Sequence, residues 1–238
     1  MKTPLKACGT ALAVVAVGLA LAGCGSDSKT EATSSSSSSA SSSSKSSKTS
    51  ESKPSKTAEP AGANTTIADY IKEAGITESP VHRGDPGSPT IDLPIPAGWR
   101  DAGPNTPEYA WGAIVFDDPA AASDPPSIIA LMSKLTGPVE PAKILEYAPG
   151  ELKNLPGFDG MGSEGSESTL GGFDAFQFGG TYVKDGVARM IAQKTVVIPA
   201  KDGDGVYVLQ LNADGTEDQM NPLMEATTEI DKNTTITP

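Results

Sequence analysis

The sequence predicts an α+β domain preceded by an export signal and a structureless linker. Three observations lead there. Two long stretches rich in β-branched and aromatic residues, Phe173 to Val183 and Val187 to Ile198, flank Asp185-Gly186, the dipeptide best suited to a tight hairpin turn. Stretches with apolar residues at helical spacing stand before and after the strand-like runs. Neither cysteine lies beyond residue 24, so the domain must rest on its hydrophobic core without disulfides.

Taken in order, Met1 to Lys6 is a short basic opening, and Ala7 to Leu21 is an apolar run broken by glycines and Thr10. A run this short, followed by small residues rather than a charge cluster, reads as a cleaved signal peptide over residues 1–23 and not as a membrane span, which needs about 20 residues. Leu21-Ala22-Gly23-Cys24 resembles the lipobox of bacterial lipoproteins, which implies a diacylglycerol on the Cys24 thiol and cleavage just before it. The alternative is an ordinary cleaved signal that leaves Cys24 as a free thiol. Acyl chains contribute roughly 0.8 kcal/mol per buried methylene, so two or more make a stable anchor where one is marginal.

Residues 24–64 form a linker dominated by serine, with runs at Ser34 to Ser39 and Ser41 to Ser44. Almost nothing larger than alanine is available there for burial, so the segment cannot offset its ordering entropy. Roughly 40 such residues span about 35 Å on average, and about 130 Å when fully extended. The globular domain then occupies residues 65–238. It carries 11 basic against 26 acidic side chains, a net charge of −15 with His82 neutral. Such a surface repels nucleic acid and anionic headgroups, which excludes both as partners.

Within the domain, Ile67, Tyr70, Ile71 and Ala74 fall at helix spacing between a threonine N-cap and Gly75. Residues 81–90 are broken by proline and glycine into repeated turns. Ile91 to Leu93 and Gly98 to Arg100 read as short extended pieces, and Trp111 to Phe116 and Ser127 to Leu135 as strands. Pro141 suits the first position of a helix bearing Ile144, Leu145 and Ala148, which Pro149-Gly150 interrupts before a further turn with Leu152 and Leu155. Val206 to Ala213 is a further strand. A last helix starts between Thr216 and Asn221, with Met220, Leu223, Met224, Thr227 and Ile230 turned to the core.

The two-residue turn fixes the hairpin register. With Lys184 opposite Val187, one face holds the pairs Val183 with Ala188, Thr181 with Met190, Ala175 with Val196 and Phe173 with Ile198, and this face is assigned to the core. The other face is an aromatic strip with polar neighbours: Phe176, Phe178, Tyr182, Arg189 and Gln193. Either a helix covers this strip or it is an amphipathic face for a lipid or glycolipid.

Candidate chemistry is sparse. His82 is the one histidine, and its apparent partners Arg83 and Asp85 lie in a Pro-Gly loop with no nucleophile elbow in the chain. A loop-bracing or partner-contacting role for His82, Arg83 and Asp85 is preferred to catalysis. One histidine with no free thiol makes no usual zinc site. Asp202-Gly203-Asp204-Gly205 fails the spacing of a calcium loop and reads as a turn. Walker and dinucleotide glycine motifs are absent, and no cofactor is expected.

Several stretches, among them Thr66-Ile67-Ala68-Asp69-Tyr70-Ile71, Gly84-Asp85-Pro86-Gly87-Ser88-Pro89-Thr90, Ala148 to Phe158, Ala192 to Pro199, Leu209 to Asp214 and the close at Thr234 to Pro238, resemble the LpqN family of mycobacterial envelope lipoproteins. The resemblance covers nearly the whole domain but not the serine linker. It implies a PsbP-like fold, an antiparallel β-sheet sandwiched between helices. It also implies a non-catalytic protein held on the outer face of the cell membrane by its lipidated Cys24, or shed from it. The partners it implies are an envelope glycolipid and lipid-export proteins, or a host protein. It brings no catalytic residues.

Overall fold

A computed structural model of the chain describes residues 64–238. The signal peptide assigned to 1–23, Cys24 and the linker up to residue 63 lie outside the described residues.

The first helix, α1 (Ile67–Ala74), forms where the caps require it. The Thr66 hydroxyl accepts the Asp69 N–H at 3.1 Å, the Asp69 carboxylate accepts the Thr66 N–H at 2.9 Å, and Gly75 ends the helix. Next come β1 (Thr77–Pro80), β2 (Thr90–Asp92), β3 (Trp99–Asp101), β4 (Gly112–Phe116) and β5 (Ser127–Thr136). Then α2 (Pro141–Tyr147), with its proline in the first turn, is followed by α3 (Gly150–Lys153). The β-rich half comprises β6 (Ser166–Leu170), β7 (Phe173–Lys184), β8 (Val187–Pro199) and β9 (Val206–Thr216). The chain closes with α4 (Met220–Asn233) and β10 (Thr235–Thr237).

Eight strands make one antiparallel sheet in the order β3-β4-β5-β9-β8-β7-β6, with β1 paired to the far half of β5, and β2 and β10 form a separate pair. The α+β expectation thus holds. Alternation along the strands sends side chains to two cores. On one face Ile128, Ala130, Val196, Ile198, Leu209 and Leu211 pack against Leu223, Ala226 and Ile230 of α4. On the other, Leu135, Val197, Val206 and Val208 pack against Ile67 and Tyr70 of α1 and Ile144 of α2. Residues 193–198 of β8 are therefore buried without alternation.

The hairpin keeps the register deduced from its turn, from Lys184 opposite Val187 to Ala175 opposite Val196. Asp185 (φ 52°) and Gly186 (φ 79°) both take the left-handed backbone that a type I′ turn demands. The ladder with β8 stops at Ala175, short of the expected Phe173–Ile198 pair, while on its other edge β7 pairs with β6 as far as Phe173 opposite Leu170. The assignment of one hairpin face to the core needs correction. Ala175, Val196 and Ile198 are buried, but Val183 and Ala188 near the turn are exposed, since the hairpin tip runs past α4. The last helix needs one too: Leu223, Ala226 and Ile230 form its buried stripe, leaving Met220 and Met224 outside it and exposed. Residues 202–205 make the expected turn, where Asp202 accepts the Asp204 N–H and pairs with Lys134 at 3.1 Å. Among the described residues no helix is long and apolar enough to cross a membrane.

Candidate functional site

The aromatic strip lies on the α1 and α2 face. There Phe178, Tyr182, Arg189 and Gln193 are buried and Phe176 is half-buried. The segment after α3 covers them. Phe158 packs at a tilt against Phe178 with ring centroids 5.3 Å apart, and Asp159 bridges to Thr181, so close that a Cβ on Gly180 would overlap the Asp159 carbonyl. Gln193 donates to Asn212 at 2.9 Å and approaches Glu151 of α3 at 3.4 Å. Asn154, just past α3, exchanges hydrogen bonds with Asn64 at 2.9 to 3.2 Å and so fastens the first described residue to this face.

At the turn end of the same face, Arg189 is clamped by two carboxylates, Asp214 and Asp124, and Tyr182 donates its hydroxyl to Asp214. Those hydrogen bonds, first from Asp214 and then from Asp124, hold the guanidinium well above its ordinary pKa. Burial and then the Asp214 hydrogen bond push the Tyr182 phenol from 10.0 up to about 12. Unfolded chain releases this proton near pH 10 while the folded protein keeps it to about 12, so the contribution is complete below 10 and lost through 12. The protein is expected to lose roughly 2 kcal/mol over that window that Tyr182→Phe does not lose, read from urea midpoints.

The loop at residues 82–88 is self-contained. Asp85 accepts the His82 N–H at 2.8 Å and lies 3.7 Å from its ring, while Gly87 accepts the Tyr207 hydroxyl. Arg83 turns away, its guanidinium 4.5 Å from the centre of the Trp111 ring and 3.9 Å from Asp101. The three loop residues singled out in the sequence thus do not converge on one point. No group of three or more potential ligands is placed to hold a metal among the described residues.

A cavity of about 290 Å³ opens on the opposite face, under the flank of α4. Ile128, Leu211, Ala213 and Ile230 give it an apolar floor, with Ala192 and Gly179 beside them. Its mouth lies where β6 gives out at Ser166, opposite Gln177, so that β7 has no β6 partner at Gly179, which still pairs with Ala192 of β8 on its other edge. Polar groups line that mouth: Ser166, Gln177, and the Lys194–Asp231 ion pair at 2.6 Å, which ties β8 to α4. Lys194 also donates to Ser168 at 3.2 Å. Phe178 and Gln193 contribute to the cavity wall, although their rings and amides are engaged on the other face. The remaining lining residues escaped sequence reasoning, because the cavity depends on where α4 crosses the sheet. The alternation that buries Phe178 sends Gln177, Gly179, Ala192 and Lys194 toward α4, which is the one local signal that could have found them.

The family model described as "Probable lipoprotein LpqN" matches residues 63–237. Lipoprotein LpqN of Mycobacterium tuberculosis is 59% identical over 228 residues, covering 96% of this chain and 97% of that protein. A crystal structure of LpqN involved in cell envelope biogenesis of the same organism superposes with a TM-score of 0.70 at 57% identity, over 74% of this chain and 100% of that one. With the family model matched over residues 63–237, a relative 59% identical across nearly its whole length and a crystal structure superposing at a TM-score of 0.70, the chain belongs to the LpqN family of lipoproteins.

Proposed function

We propose that this chain is a membrane-anchored envelope lipoprotein, attached through Cys24, that shelters the acyl tail of an envelope glycolipid beside α4 and assists its export or assembly without catalysis. The cavity carries this reading. Its volume, about 290 Å³, lies at the small end of ligand pockets, which run from roughly 300 to 1,000 Å³, and suits one alkyl chain with the headgroup left outside. The apolar floor would take the chain, and Gln177, Ser166 and the Lys194–Asp231 pair at the mouth would meet hydroxyls. The involvement of the M. tuberculosis relative in cell envelope biogenesis supports the setting. The contacts of His82, its N–H to Asp85 at 2.8 Å and its ring 3.7 Å from the same carboxylate, lie within one exposed turn and support the loop-bracing role over catalysis.

The test titrates n-dodecyl-β-D-maltoside, below its micelle concentration, into the mature chain carrying Cys24→Ser, using calorimetry. Saturable one-site binding is expected, and Ala192→Trp should weaken it at least about tenfold, since Ala192 is exposed within the cavity and the indole fills it. The urea midpoint of that variant should not move. Absence of binding, or binding untouched by Ala192→Trp, removes the lipid reading. Intact mass of the protein taken from its own envelope, expected to start at an acylated Cys24, checks the anchor.

A further inference from the structure

The other flank of α4 borders a second concavity, a groove of about 490 Å³ between that helix and the β3–β4 hairpin. Its floor is apolar. Trp99 is buried and Phe116 half-buried, with ring centroids 5.6 Å apart, and Pro96, Pro222 and Ala226 complete the surface. Its lining is anionic: Asp118 comes from the turn after β4, Asp218 from the turn before α4, and Glu225 and Glu229 from consecutive turns of α4. No lysine or arginine lines it. Asp218 accepts a hydrogen bond from Thr216, and Asp118 caps the turn at Pro119–Ala121, so both carboxylates are held at fixed places.

We propose that this groove docks a cationic segment of a partner protein, one carrying lysine or arginine next to an apolar side chain. Charge complementarity selects the occupant. Four carboxylates without a lining cation repel one another when the groove is empty, and a basic side chain entering it relieves that repulsion. The same carboxylates exclude an anionic lipid headgroup and a nucleic acid. The aromatic floor adds what a bare acidic cluster lacks, a desolvated surface for the apolar neighbour and a π face for the cation. Pro222, Glu225, Ala226 and Glu229 face the groove while Thr227, Ile230 and Asp231 face the cavity, so the partner would touch the helix that walls the lipid site. The docking surface nonetheless stands apart from the cavity, and its test uses no lipid.

In the cells that produce the full chain, p-benzoylphenylalanine replaces Ala121, a half-buried residue of the groove. Photocrosslinks are mapped by mass spectrometry. The expected product joins Ala121's position to a basic segment of another protein, and its yield falls at least about tenfold in a Glu225→Lys/Glu229→Lys background. The mapped segment, made as a labelled peptide, should bind the detergent-solubilised full chain in a salt-sensitive manner. Glu225→Gln/Glu229→Gln, which removes charge without reversing it, should weaken it by a smaller factor. Crosslinks to residues 1–63 of the same chain, to a second copy or to lipid would overturn the proposal, as would a product indifferent to both substitutions or no product at all.

Discussion

Replacing Arg189 by methionine is expected to cost the domain about 3–5 kcal/mol, read from urea unfolding at pH 7. The Arg189 side chain is 10% exposed and binds Asp214, whose side chain is 21% exposed, together with Asp124. Methionine fills the stem volume but leaves the Asp214 carboxylate largely out of water, with the Tyr182 hydroxyl as its remaining side-chain donor. Asp124, at 54% exposure, simply returns to solvent. The loss is thus expected to come from one stranded charge rather than from a broken attraction. Arg189→Met/Asp214→Leu/Tyr182→Phe removes all three buried polar groups and should recover most of the stability. A triple variant no more stable than Arg189→Met alone would instead place the cost in packing at the hairpin tip.

The Lys194–Asp231 pair gives a second large and asymmetric effect. Lys194 is 9% exposed and Asp231 39% exposed. Asp231→Ala leaves a buried ammonium with Ser168 alone beside it, and should cost about 3 kcal/mol. Lys194→Met removes the buried charge and lets Asp231 face water, which should cost under about 1 kcal/mol. Equal losses, or a larger loss for the lysine variant, would mean that the pair is solvated. Because the pair joins β8 to α4 at the cavity mouth, Asp231→Ala should also loosen the hydrogen-exchange protection of the last turns of α4.

Much of the fold was legible because local chemistry carried it. Asp185-Gly186 set the hairpin register, Thr66 and Gly75 bounded α1, and Pro141 opened α2. What escaped depended on partners distant in sequence. Strand β1 (Thr77–Pro80) is exposed at every position and owes its conformation to β5. Strand β6 contains no β-branched aliphatic residue and forms by pairing with β7. Met220 and Met224 carry the composition of a core face, yet the helix turns Ala226 inward in their place. The site divides in the same way. The aromatic strip could be listed from one hairpin, but its cover, the segment after α3, comes from elsewhere in the chain. The cavity and the acidic groove arise only when α4 is laid across the sheet.

The clasp between Asn64 and Asn154 also decides where mechanical tension would enter. Among the described residues, a pull from the amino-terminal side meets those hydrogen bonds first and is passed to α3 and the helical layer above Val197 and Val208. The opposite layer, where α4 roofs the cavity, is spared, so drag on the protein would not by itself pry that roof open.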